Sequence, residues 1–303
     1  MADQSKKNEG DDPRSVKVNA LKADLSRTHI LYGLTDRHSA RWAGHLSLKT
    51  FTGGRAFYDA GAGHYAVDDD SCLILNELQP YRITIDSETK MESFCIFFET
   101  GLAEEVHRSL TEKPDRLLDD PGKPLAERID FIQKLYSRLP LEGLLSEVRS
   151  VIRRKTFEQI LLKENLYRLM EGLLLAREET LREIGRLPAR RASTREELYR
   201  RVCRARDFIA ASWNRSVSLE EMARIACLSP NHFLRSFKEV FGRTPHQYLT
   251  ALRLREAEKL LRRTDLPVIS ICQSVGFESH ASFSLLFRRH FGLSPDRYRR
   301  RKR

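Results

Sequence analysis

The chain has 303 residues, 41% of them hydrophobic, and a formal net charge of +11. It holds no run of about 18 apolar residues, and the polar stretch Met1 to Arg14 has no apolar signal core, so no membrane span or secretory signal is expected and cytoplasmic residence is. The five cysteines (Cys72, Cys95, Cys203, Cys227, Cys272) show no CxxC spacing, which argues against a zinc site and a disulfide framework and for small core residues in a reducing compartment.

The charge is unevenly placed. Residues 185–303 hold 26 Lys/Arg against 11 Asp/Glu, a net of +15, while residues 1–184 hold 27 against 31, a net of −4. A basic module joined to a near-neutral one is implied, and the basic surface attracts phosphate polymers or anionic membranes alike. Residues 1–15 are polar and read as a disordered tail. Residues 20–100 read as β. Gly/Asp/Asn punctuation separates short segments such as His45–Phe51, Arg55–Asp59, Ser71–Leu75, Tyr81–Ile85 and Ser93–Phe98, the rhythm of a small antiparallel sandwich or barrel.

From Gly101 the period becomes helical. Leu102–Leu110 is a short amphipathic stretch, and a second is expected from Pro124 to Leu139 with Ile129, Ile132 and Leu135 in step. The longest stripe begins near Glu147 or Phe157 and runs to Leu181; it either packs across the β unit or pairs with a second subunit. The segment from Gly185 to Thr194 has linker composition, and Thr194 with Glu197 reads as a capping box for a helix from Arg195 to Ser212. The expected organisation is a tail at 1–15, a first domain of β-barrel plus helices at 16–184, a linker at 185–195 and a basic all-α domain at 196–303. The class is α+β: a small β-barrel with following helices, then an all-α domain of two helix-turn-helix subdomains joined by a helix.

That last domain is read from a duplication. Met222 to Ala226, a turn, then Phe233, Phe237, Phe241-Gly242, Pro245 and Tyr248 are followed 50 residues later by Phe283, Phe287, Phe291-Gly292, Pro295 and Tyr298. Before the turn the offset is 49 (Met222 to Ile271), so the second turn is one residue longer. Ser218 caps a short helix, Leu219–Ala226, and Ser229-Pro230 starts a longer one, Pro230–Phe241. Short helix, tight turn and longer helix make a helix-turn-helix. Thr244-Pro245 starts the joining helix, which runs to Arg263. The second copy repeats the plan, with Asp265 as N-cap, Gly276 at the turn, and Ser279 starting His280–Phe291.

This arrangement resembles the AraC/XylS-type transcription regulators over about residues 196–300. The residues that carry the resemblance include Leu219-Glu-Glu-Met-Ala223, Phe237-Lys238, Gly242, Pro245, Arg253, Ala257, Leu260-Leu261, Gly276-Phe277, Gly292, Ser294-Pro295 and Tyr298-Arg299. The β unit is similar, more loosely, to that family's cupin-like effector domain, so the resemblance implies an effector-binding and dimerisation domain at 16–184 and a DNA-binding domain at 196–303. The resemblance implies two reading helices in successive major grooves about 34 Å apart. It places base contacts at Asn231 and Arg235, which suit adenine and guanine edges, and at His280, Ala281 and Ser282 on the second helix. Leu285 stands where a long polar side chain is usual and reads as a core residue, so the second helix is expected to read fewer bases. Phosphate contacts are expected from Ser229, Lys238, Arg243, Ser279, Arg288 and Arg289, with the Arg297–Arg303 tail adding nonspecific attraction. Implied partners are double-stranded promoter DNA, a small-molecule effector, a second copy of the chain, and RNA polymerase for an activator.

A barrel of this kind also occurs in enzymes. Here no HxH pair is present, and His29, His38, His45 and His64 are widely spaced, so no metal site is expected. GxSxG, P-loop and GxGxxG motifs are absent, and neither catalytic residues nor a cofactor is expected. Two roles stay open for the first domain: binding an effector, or binding a protein partner.

Overall fold

The computed structural model describes residues 19–20, 28–112, 128–153, 159–187 and 191–302. The tail at 1–15 and the start of the helix expected from Pro124 lie outside the described residues. The chain divides into two compact units, residues 1–185 and 186–303.

The first unit is built on β1 (Asn19–Ala20), β2 (His29–Trp42), β3 (Ser47–Thr52), β4 (Ala56–Ala60), β5 (Gly63–Val67), β6 (Ser71–Leu75), β7 (Tyr81–Phe97) and β8 (Leu135–Ser137). All pairings are antiparallel, in the order β1-β2-β7-β3-β6-β8 with β4 joined to β5 and β7, a nearly closed barrel. β7 is its spine. The C-terminal half of β7 lies between β2 and β3, its N-terminal half between β2 and β4. The sequence splits this strand at Asp86-Ser87. The structure keeps it whole because the polar pair falls where the register with β2 shifts, between Thr35 and Arg37, and such an irregularity absorbs turn-prone residues inside a strand.

Alternation along the strands gives the sheet two apolar faces. Phe51, Tyr58, Met91, Cys95 and Phe97 fill the barrel interior. Leu48, Ile74, Phe94 and Ile96 point the other way, under the helices α1 (Leu102–Thr111), α2 (Glu142–Arg153) and α3 (Gln159–Gly185). The long helical stripe is thus two helices. Leu166, Leu169, Met170, Leu173 and Leu174 of α3 belong to the core over the sheet, while Ile160 and Leu175 are exposed.

The described part of the helix expected to end at Leu139 is not helical. Residues 128–134 are irregular, and Leu135–Ser137 pair with Ser71–Leu73 as β8. The apolar steps that imitate a helix serve two cores instead: Ile129, Phe131 and Tyr136 pack under the helices, Leu135 in the barrel. The Asn76 side chain stands in for a strand partner, accepting from the Phe131 amide at 2.8 Å and donating to its carbonyl at 2.9 Å.

The second unit is all helical: α4 (Ala192–Ala211), α5 (Leu219–Ile225), α6 (Pro230–Phe241), α7 (Pro245–Arg263), α8 (Val268–Ser274), α9 (His280–Phe291) and α10 (Pro295–Lys302). Two expected starts shift. α4 begins at Ala192, behind Arg191, so Thr194 lies in its first turn and residues 192–195 of the expected linker are helical. The N-cap of α8 is Pro267, not Asp265, because Pro267 holds the extended backbone that a cap position requires. Two cores result. Val202, Ile209, Met222, Phe233, Phe237 and Leu249 make the first; Leu254, Ala257, Leu261, Ile271, Phe283 and Phe287 make the second. α7 contributes to both, and Trp213 packs against both.

Candidate nucleic-acid interface

Each half of the second unit sets a longer helix, the one that the resemblance implies as the reading helix, on the same scaffold. In the first, α5 ends in a turn where the Leu228 amide donates to the Ala223 carbonyl and the Cys227 amide to the Arg224 carbonyl, both at 3.0 Å. In the second, Phe277 donates to Cys272 and Gly276 to Gln273, again both at 3.0 Å. This double bond is the Schellman closure, and it needs one left-handed residue. That residue is Cys227 (φ 53°) in the first turn and Gly276 (φ 82°) in the second. Glu278 is the additional residue of the second turn. Both reading helices then start on a serine and end on a left-handed glycine, Gly242 or Gly292.

Spacing decides what each reading helix presents. Phe233 and Phe237 are one turn apart and buried, as are Phe283 and Phe287. Asn231, Arg235 and Lys238 therefore form an exposed stripe on α6, and His280, Ala281, Ser282, Arg288 and Arg289 are exposed on α9. Ser229, Ser279 and Arg243 are exposed at the helix ends, with the Arg243 guanidinium 5.5 Å from the Tyr248 ring centre. Every sequence-predicted contact residue thus faces solvent on or beside a reading helix.

Leu285 corrects the sequence reading. It is 69% exposed, not part of the core, because Phe283, Leu286 and Phe287 already supply the packed side of α9. It shares the exposed stripe with Ala281. In the basic tail, Arg299 donates to the Leu266 carbonyl and so has a structural role, while Arg297, Arg300 and Arg301 are exposed.

Unpaired charge lies on these helices and also at Arg255 and Arg263 of α7. Arg200, Arg201, Arg215 and Arg262 are each held by a glutamate within the unit. Among the described residues, the side chains of Asn231, Arg235, Lys238, His280, Arg288 and Arg289 have no hydrogen bond or ion pair. A cation without an internal partner keeps its full field for a polyanion.

Two features of this unit were not visible in the sequence. Arg253 on α7 donates from Nε to the Trp213 carbonyl (2.9 Å) and from Nη2 to the Arg215 carbonyl (2.8 Å), while its guanidinium packs 5.9 Å from the Phe277 ring centre at the second turn. It therefore ties the first half to the second. Burial holds its pKa below the usual arginine value, with nearby Glu278 opposing the shift. The other feature is a buried pair inside the first half. Asp207 is fully buried, and Arg206 reaches it at 2.5 Å; burial alone would lower the Arg206 pKa, but Asp207 raises it overall.

Two short-helix, turn, long-helix units on one connecting helix, with unpaired cations along both longer helices, have the form of a helix-turn-helix DNA-binding domain. Residues 222–301 match the family model described as a helix-turn-helix domain. The chain is 43% identical over 86 residues to the RCS-specific HTH-type transcriptional activator RclR of Escherichia coli, covering 28% of this chain and 30% of that protein. It is 31% identical over 93 residues to the melibiose operon regulatory protein of Escherichia coli, covering 31% of each. Among solved structures, the C-terminal domain of the response regulator AraT from Geobacillus stearothermophilus is 33% identical, with 33% of this chain and 84% of that chain covered and a TM-score of 0.32. The DNA-binding domain of the global transcriptional factor AdpA in complex with a target DNA is 28% identical, covering 33% and 90%, with a TM-score of 0.32. The match spans about a third of the length of these curated relatives. The C-terminal unit thus carries a helix-turn-helix domain of AraC type.

Among the described residues no helix is long and apolar enough to cross a membrane, and no group of three His, Cys, Asp or Glu comes together that would hold a metal ion.

Proposed function

We propose that the chain is an effector-responsive activator that grips promoter DNA with both helix-turn-helix units. In this reading α6 reads base edges with Asn231 and Arg235, and α9 does so with His280, Ala281 and Ser282. Ser229, Lys238, Arg243, Ser279, Arg288 and Arg289 hold the backbone. The chain works in the cytoplasm as a homodimer that contacts RNA polymerase, and residues 16–184, with their cupin-like barrel, carry the effector response. The observation that supports the reading best is the presence of exposed polar and cationic side chains without an internal partner at matching places on two equivalent helices.

Selection of genomic fragments by the full chain, followed by titration of one selected fragment over a range of salt, tests it. Arg235→Ala is expected to lower affinity by about 2 kcal/mol and to relax preference at one base step. Lys238→Ala is expected to weaken all sequences alike and to flatten the salt dependence. Equal affinity of the wild type for every fragment would end the proposal.

A further inference from the structure

On the outer face of the barrel sheet, beside α2, lies a cavity of about 510 Å³, within the range of small-molecule sites. Four side chains of α2 reach it from one helix face: Glu142, Ser146, Arg149 and Ser150, spaced at four, seven and eight residues. Arg138 enters from the end of β8, Thr52 from β3 and Glu92 from β7.

The two arginines are fixed by the barrel. Arg138 donates from Nη1 to the Phe51 carbonyl at 2.8 Å and to Thr52 Oγ1 at 3.1 Å. Arg149 lies 4.7 Å from the Phe94 ring centre. Both converge on one carboxylate. Glu142 accepts from Arg138 Nε at 2.6 Å, from Arg138 Nη2 at 3.3 Å and from Arg149 Nη1 at 3.3 Å. The exposures are unequal: the arginine side chains are 6% and 11% exposed, that of Glu142 46%. The cations are thus embedded and the anion faces water. Buried Arg149 Nε has no hydrogen-bond partner and sits 3.5 Å from Glu92, which accepts from the Tyr32 hydroxyl. Burial, and after it the neighbouring Arg138, lowers the Arg149 pKa, while Glu142 and Glu92 oppose that shift.

We infer that this cavity binds a small hydroxycarboxylate, whose carboxylate replaces Glu142 on the Arg138–Arg149 pair and whose hydroxyls bond to Glu92, Thr52, Ser146 and Ser150. Pre-placed guanidinium forks suit a carboxylate, and the lining hydroxyls both donate and accept. Glu92 only accepts, so it selects for a ligand that donates. Glu142 can be displaced because the incoming carboxylate makes the same charge-assisted bonds to the guanidinium pair while the Glu142 side chain, 46% exposed, passes into water. The exchange also cuts the Arg138–Glu142 tie between the end of β8 and the start of α2, so occupancy is felt by a helix. As a regulatory site, this inference rests on the effector-responsive reading above.

Calorimetric titration of the full chain with D-gluconate tests it, with D-glucitol as the uncharged control. Gluconate is expected to bind and glucitol not to. Glu142→Gln, which removes the internal competitor, is expected to tighten binding by about tenfold. Arg149→Gln and the cavity-filling Ser150→Leu are expected to weaken it by at least about tenfold, with the melting temperature of Ser150→Leu close to wild type. Equal heats in wild type, Arg149→Gln and Ser150→Leu would assign the signal to the basic DNA-binding surface and overturn the site. So would silence in both wild type and Glu142→Gln. DNA affinity measured on the same samples keeps the two readings apart: gluconate that binds as described but leaves DNA binding unchanged retains the site and removes its regulatory role.

Discussion

The two helix-turn-helix halves are one design solved twice with different residues. Their paired phenylalanines, glycine ends and closing hydrogen bonds coincide, so the scaffold is common. They differ at the turn, the cap and the exposed stripe. The first half accepts a left-handed Cys227, where an L side chain is strained, and the second uses Gly276. Ser229 makes no side-chain cap, whereas Ser279 Oγ accepts from the Ser282 amide at 3.3 Å. The first stripe is Asn231 and Arg235; the second is Ala281 and Leu285. Duplication thus preserves what packs and leaves free what faces outward.

The largest expected effect is at the turns. A Cβ at Gly276 would lie 3.0 Å from the Arg253 guanidinium and would also be held at positive φ. Gly276→Ala is expected to cost about 2–3 kcal/mol, combining left-handed strain with disturbance of the Arg253 bonds. Cys227→Ala is expected to be nearly neutral and Cys227→Gly stabilising by about 1 kcal/mol. Urea unfolding gives the sizes. Hydrogen exchange gives the location, with Gly276→Ala expected to loosen α8 and α9 before α5 and α6. Equal costs for Gly276→Ala and Cys227→Ala would mean that the turns are not differently strained. Next in size is the loss of about 2 kcal/mol of DNA binding expected for Arg235→Ala.

These halves were legible in the sequence because each signal is local. Phenylalanines one turn apart, serine starts and glycine ends give the bounds of α6 and α9, and Thr244-Pro245 gives the start of α7. What was missed depends on distant pairings. β8 escaped because its apolar steps fit a helix as well, and its partners, Ser71–Leu73 of β6, are distant in the chain. The Arg138–Arg149 cavity escaped because its anchor at Phe51 is 87 residues from Arg138. Lys49 was also unmarked. It is 1% exposed in the barrel, with its ammonium 3.4 Å from the Phe97 ring centre, and burial pushes its pKa down to about 8.

The caps give a smaller contrast. Ser279→Ala removes an observed side-chain acceptor and is expected to lower stability by about 1 kcal/mol. Ser229→Ala removes none and is expected to change it by only a few tenths of a kcal/mol. Thermal melts of the two variants compare them directly, and equal losses would show that the two caps work alike.

The smallest effect is the most informative about the second stripe. An exposed leucine on a reading helix has no core to support, so Leu285→Ala is expected to leave stability within about 0.5 kcal/mol of wild type. Its isobutyl group suits an apolar base feature, and in the major groove that feature is the thymine methyl. Replacing thymine by uracil in the half-site bound by α9 removes that methyl and changes nothing else. Wild type is then expected to lose about 0.8 kcal/mol, roughly fourfold in affinity, and Leu285→Ala to bind both DNAs alike. The same replacement in the half-site bound by α6 is expected to matter less, because Asn231 and Arg235 use hydrogen bonds. A Leu285→Ala protein that melts early yet still prefers thymine as wild type does would return Leu285 to the core. It would also remove the case that the two halves read DNA by different chemistry.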